Sequence, residues 1–150
     1  MAVYALDTNI VIHYLYNEQS VIRNLEKAID CNHNMVIPYI VEYEMRRGFE
    51  IKAAPNNEVS YNELAWGSGF CNVVTMGDNF WPTAARVYAE LYRKRLTVGD
   101  LDILIAAFCL HNDYILVSAN TRHFKDIEGL NLVDWTQPHH SDISTEVNHT

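Results

Sequence analysis

Cysteine is scarce in this 150-residue chain and poorly placed for chemistry: Cys31, Cys71 and Cys109 are odd in number and far apart. No close pair exists to form a zinc site or a redox motif, and the expectation is small buried thiols in the reducing cytosol, hence a cytoplasmic protein. Long apolar runs are lacking too. Asp7 interrupts the N-terminal run before a signal peptide's hydrophobic region can form, and residues 103–110 are far too few to span a membrane. Positive charge is in short supply: 11 Lys and Arg against 19 Asp and Glu leave a formal net charge of -8. That balance excludes a general polyanion-binding surface, but not a nucleic-acid enzyme whose metal-holding acids supply the negative charge. No Gly-rich phosphate loop follows the first apolar run, so a nucleotide-binding Rossmann domain ranks low. Internal repeats and low-complexity blocks are also missing.

What is present reads as one folded domain. Hydrophobic residues make up 49% of the chain and charged ones 20%, and the domain is placed over residues 1–135, followed by a polar tail over 136–150 that has no periodicity. The run Val3-Tyr4-Ala5-Leu6, stopped by Asp7, has a buried strand's composition. Residues 35–37 before Pro38, then 70–75, 114–118 and 130–133, read as further strands. Helices are expected over 10–16, over 21–28 with Ser20 as N-cap, over 40–49, and over 80–93 with Ala84, Ala85, Tyr88, Leu91 and Tyr92 facing inward. The apolar stretch 100–110 is too long for a typical buried strand and reads as a buried helix with an acidic first turn. Pro55-Asn56-Asn57 signals a turn, residues 61–66 a helical segment, and Gly67-Ser68-Gly69 its break. Strands alternating with helices give an α/β fold whose parallel sheet is covered on both faces.

Four oxygen-bearing side chains fall at element ends. Asp7 closes strand one, Glu44 lies on the helix after strand two, Asp102 sits in the first turn of the buried helix, and Asn120 follows strand four. In an open parallel sheet such positions converge outside the carboxyl ends of the strands. Carboxylates brought together repel one another, so at neutral pH a cluster of them implies a bound cation; oxygen donors without clustered His or Cys favour Mg2+ or Mn2+ over zinc. Such an ion activates water and stabilises in-line phosphodiester displacement, which points to a metal-dependent nuclease. Taken singly, each acid also reads as a helix cap or turn residue, and Asp100 serves equally as N-cap or metal contact. Glu42 and Glu44, two apart on a helix, cannot both face the site.

Leu6-Asp7-Thr8-Asn9, Glu44-Met45-Arg46-Arg47-Gly48, Asp102-Ile103-Leu104-Ile105-Ala106-Ala107 and the ending from Leu116 to Phe124, with Gly129-Leu130 and Trp135, together resemble the PIN-domain family. Within that family the chain is similar to the VapC-type ribonuclease toxins. The resemblance implies a PIN-like (Rossmann-like) three-layer fold, its parallel sheet in the order 3-2-1-4-5, with Asp7 and Asn120 side by side. It implies Mg2+ on Asp7 and Asp102, Glu44 close by or linked through water, and Asn120 completing the polar ring. Many members carry an acid at the position of Asn120 or His123; this chain has neither, and one firmly held ion is the expectation. The resemblance further implies cleavage of structured RNA such as tRNA, a small antitoxin partner that blocks the site, and a homodimer with no membrane association. Arg46, Arg47, Arg86, Arg93, Lys94, Arg95 and Arg122 are then the candidate phosphate contacts; Arg46 and Arg47, beside Glu44, are the better placed for RNA, since a cluster such as Arg93-Lys94-Arg95 is more often a solvated helix end. The alternative keeps the fold and drops catalysis: a PIN-like RNA-binding or protein-interaction module.

Overall fold

Five short strands form one parallel sheet in the computed structural model, which describes residues 1–137. They are β1 (Val3–Leu6), β2 (Asn34–Pro38), β3 (Cys71–Val74), β4 (Ile115–Val117) and β5 (Leu132–Val133), ordered β3-β2-β1-β4-β5 as the resemblance implied. Ala5 lies opposite Val36 on one side and Leu116 on the other, and Leu6 opposite Val117. The central strands are short buried runs (Ala5 and Leu6, Met35 to Ile37, Leu116 and Val117) because helices cover both sheet faces and leave no side for polar residues.

Between β1 and β2 run α1 (Thr8–Leu15) and α2 (Gln19–Asp30), and after β2 come α3 (Tyr39–Ile51) and α4 (Pro55–Asn62), which continues into a π-helical turn (Glu63–Gly67). After β3 follow α5 (Trp81–Arg93), α6 (Asp100–Asn112) and the short α7 (Thr121–Phe124). Helix α6 buries Ile103, Ile105, Ala106, Ala107, Phe108 and Cys109. Apolar nearly all round between its ends, it carries Asp100 and Asp102 in its first turn. Asn17 and Asn32 follow α1 and α2 at φ of 59° and 58°, the left-handed stop that asparagine tolerates better than most residues.

Several expectations are corrected. Ser20 does not cap α2: Glu18 holds the N-cap position, and the Ser20 hydroxyl donates to the Thr136 carbonyl (3.1 Å). Pro55 begins α4, where its missing N–H goes unneeded, so the turn signal was a helix start. Along α5 the inward residues are Ala84, Val87 and Leu91, whereas Ala85, Tyr88 and Tyr92 face solvent. Asp100 is the first helical residue of α6 and Gly99 its N-cap. Cys71 and Cys109 are buried but Cys31 is exposed. Trp135 is buried against Tyr4, and Thr136 is still held by Asp134 Oδ1 (2.9 Å from its N); the expected tail beyond Gln137 lies outside the described residues. Among the described residues, no helix is long and apolar enough to cross a membrane.

Candidate active site

The chain reverses its direction of travel across the sheet between β1 and β4, and a crevice opens there at the carboxyl ends of both strands. The Asp7 N–H donates to the Val117 carbonyl (2.9 Å), which ties the two strand ends together. Asp7 is only 3% exposed, and three donors hold its carboxylate. Thr8 N–H reaches Oδ1 (2.8 Å), while the Ser118 hydroxyl (2.7 Å) and Asn9 Nδ2 (3.0 Å) both reach Oδ2. Asp7 therefore caps α1 and faces the crevice at once. Asn9 Oδ1 accepts from the Ala119 N–H (2.9 Å), so this one amide links the first carboxylate to the loop after β4.

Glu44, half-buried on α3, receives the Thr8 hydroxyl on Oε1 (3.0 Å) and has Arg47 3.5 Å from Oε2. Asp102, in the first turn of α6, meets His123 Nδ1 at 3.1 Å. Burial raises the Asp7 pKa; the bonds from Ser118, Thr8 and Asn9 oppose it, and the charge of Asp102 adds to it. Burial likewise raises Glu44, which Thr8 opposes, Asp7 reinforces, Arg47 opposes and Asp102 reinforces. Three acids from β1, α3 and α6 thus share one electrostatic neighbourhood, as the sequence led us to expect.

Other expectations fare differently. Asn120 lies at the site through its backbone, its N–H donating to Ser118 Oγ (3.0 Å), while its side chain is exposed and makes no hydrogen bond among the described residues. Besides Asn9, the neutral side chain that touches Asp7 is the fully buried Ser118, which sequence reasoning passed over as an ordinary strand residue. Arg46, expected to meet RNA, is engaged within the protein instead. Its Nε lies 2.8 Å from Glu42, its Nη2 2.6 Å from Asn62 and its guanidinium 5.3 Å from the Tyr61 ring centre, so it braces α3 against α4. Arg47 does remain beside Glu44.

The donor set fits a magnesium ion. No Lys or Arg pairs with Asp7 among the described residues, so this buried acid with a raised pKa lacks a matching cation, while Glu44 has only the half-exposed Arg47 at 3.5 Å. Among the same residues no three His, Cys, Asp or Glu side chains lie close enough to ligate one ion together. Magnesium needs no such cage, since it keeps several waters and is commonly held by one or two carboxylates. Asp7 and Asp102 are the candidates for that role. Ser118→Ala removes the hydroxyl that orients Asp7 and also leaves Asn9 Nδ2 and the Asn120 N–H short of a partner. The expected result is a Mg2+ affinity about 10–100-fold lower by calorimetric titration, with the fold retained; unchanged affinity would remove Ser118 from the site.

A family model for the PIN domain matches residues 4–130. The chain belongs to the PIN-domain family. The chain is 31% identical over 141 residues to Ribonuclease VapC2 of Haemophilus influenzae, covering 90% of this chain and 99% of that protein. It is 30% identical over 140 residues to the tRNA(fMet)-specific endonuclease VapC of Salmonella typhimurium, again covering 90% and 99%. Among solved structures, VapBC2 from Rickettsia felis bound to a promoter DNA fragment superposes with a TM-score of 0.79 at 25% identity, over 89% of this chain and 98% of that one. DNA-bound VapBC from Salmonella typhimurium gives 0.76 at 26%, over 90% and 99%. The match to the PIN domain spans every element that carries a candidate residue, from β1 through α7.

Proposed function

We propose that this chain is a Mg2+-dependent endoribonuclease of the VapC type, the toxin of a toxin-antitoxin pair, acting in the cytoplasm on structured RNA such as tRNA. The observation that carries this reading is the convergence of Asp7, Glu44 and Asp102, near enough that the charges of Asp7 and Asp102 both raise the Glu44 pKa. When bound by Asp7 and Asp102, Mg2+ (or Mn2+) supplies the positive charge that polarises a phosphodiester and lowers the pKa of water. Thr8 fixes one oxygen of Glu44, and the carboxylate accepts the proton of the attacking water. His123 steadies Asp102 through Nδ1, and Ser118, Thr8 and Asn9 together fix Asp7.

Relatives solved as VapBC complexes support a small antitoxin partner for this chain as well. A largely apolar groove of about 250 Å³ opens beside the site between Thr8, Ile12, Glu44, Met45 and Phe49, and suits an apolar segment of such a protein. The test is to incubate the purified chain with total tRNA in Mg2+ or in EDTA, with and without the product of an adjacent small reading frame, and to map the RNA ends. Specific ends that need Mg2+ and vanish with the partner are expected. Tight RNA binding without Mg2+ uptake or cleavage would favour the catalytically silent module instead.

A further inference from the structure

Basic residues cluster at the end of α5. Arg86, Arg93, Lys94 and Arg95 fall within ten residues of a chain that has 11 Lys and Arg in all. Arg86 is drawn to Glu90 at 4.0 Å, but Arg93, Lys94 and Arg95 form no ion pair among the described residues. Lys94 Nζ donates to the Asp126 carbonyl (3.2 Å), which joins the end of α5 to the segment behind α7, where Arg122 is also exposed. Helix α7 in turn reaches Asp102 through His123. The basic group therefore borders the Asp102 side of the crevice.

The same helix end displays aromatic rings. Tyr88 and Tyr92 are 53% and 72% exposed, one turn apart, with ring planes within 22° of parallel and centres 6.3 Å apart. They form one wall of a cleft of about 110 Å³ whose other walls are Leu96, Thr97, Val98 and Ile103, the residue after Asp102. Arg95 closes α5 at φ 57°, in the left-handed position where Gly is usual, with Leu96 N–H bonded back to the Leu91 carbonyl (2.9 Å). The exposed Arg95 is thus the residue immediately before Leu96 of the cleft wall.

We propose that the Tyr88–Tyr92 cleft, rimmed by Arg93, Lys94 and Arg95, is a subsite that stacks unpaired bases of an RNA strand and leads that strand to Asp102 and Asp7. Exposed rings give each base a π-face to stack on, while neighbouring cations neutralise the backbone, the combination by which proteins hold single strands without reading sequence. On a chain of net charge -8, Arg93, Lys94 and Arg95 set three consecutive positive charges beside the two rings. The inference rests on the endoribonuclease reading and narrows its substrate to RNA presenting a single-stranded loop or end.

The test uses the full chain carrying Asp7→Asn, so that RNA is not cut, and a fluorescein-labelled single-stranded RNA of about ten nucleotides followed by polarisation. Tyr88→Ala with Tyr92→Ala is expected to weaken binding roughly tenfold or more, while Tyr92→Phe or Tyr92→Trp keeps it. Arg93→Gln with Arg95→Gln is expected to lower the slope of log affinity against log salt by roughly 1.4, about 0.7 for each phosphate no longer neutralised. A blunt duplex of the same length should bind with no dependence on the tyrosines. Equal affinity in the double alanine variant overturns the subsite, and so does its conversion of a dimer to a monomer in sedimentation, because a second copy then covers this face. Failure of the parent chain to cut any RNA, with tyrosine-dependent binding intact, would remove the nuclease reading and leave the subsite standing.

Discussion

Asp7→Asn is expected to slow RNA cleavage at least about a thousandfold, several kcal/mol of transition-state stabilisation, while raising the melting temperature of the metal-free protein at pH 7. The two effects have one origin. Burial, the largest influence on Asp7, raises its pKa above that of the unfolded chain, so the fold prefers the protonated form. A carboxyl raised in the folded state gives stability that is present at low pH and is lost as pH rises from the unfolded pKa through the folded one. At pH 7 the ionised Asp7 is therefore a destabilising group, and a neutral isostere relieves it. One loss opposes this gain: an Asn that turns its oxygen to Ser118 and Asn9 presents an amide to Thr8 N–H and weakens the α1 cap. The sharper readout is thus a difference: the variant's advantage in EDTA at pH 7 should shrink as the buffer is made acidic. Mg2+ reverses the order, since at a hundred times its Kd an ion stabilises the parent by about 2.7 kcal/mol and leaves the variant unmoved. A variant that cuts RNA at the parent rate would refute the assignment of Asp7.

The residues that were legible in the sequence share a feature: each carries a strong pattern on one side. Asp7 ends an apolar run, and Asp102 opens the longest one, so polarity changes abruptly at both. For Glu44 the helical spacing said only that it and Glu42 could not both face the site, and the resemblance to the PIN-domain family chose between them; Glu42 in fact holds Arg46 and Tyr61. Ser118 offers no such contrast. A serine at the end of a three-residue strand looks like any strand terminus, and only the register that sets Leu6 beside Val117 brings it to Asp7. Helix α7 escaped for a related reason, since four residues are too few to show a period. On α5 the period was visible but not its orientation. Helical spacing put Ala84, Ala85, Tyr88, Leu91 and Tyr92 on the inner face, while packing against α6 kept Ala84 and Leu91 and took Val87 in place of the two tyrosines. The reversal is informative, because two large rings left in water need another reason to be there.

Glu44→Gln separates proton transfer from ion binding, and kcat is expected to fall about 10²–10⁴-fold while Mg2+ affinity stays within about tenfold of the parent. Gln keeps an oxygen for the Thr8 hydroxyl, so the side chain stays in position, but it cannot accept a proton from water at neutral pH. The pH profile provides the control. Burial comes first among the causes that raise Glu44, with Asp7 and Asp102 adding their charges. A cation held between the acids cancels the contribution of those charges but leaves burial in force. The parent's kcat should therefore climb with pH until Glu44 is ionised, at a pH above that of an ordinary glutamate, and then level off; the Gln variant should lack that limb. Asp102→Asn, by contrast, should lose Mg2+ affinity together with rate, because its carboxylate is assigned to the ion. If Glu44→Gln keeps the parent's kcat and its acid limb, the proton acceptor is another group and Glu44 serves only to hold Thr8. If it loses Mg2+ as fully as Asp102→Asn does, Glu44 is a ligand of the ion, and the water it was assigned is activated by the metal alone.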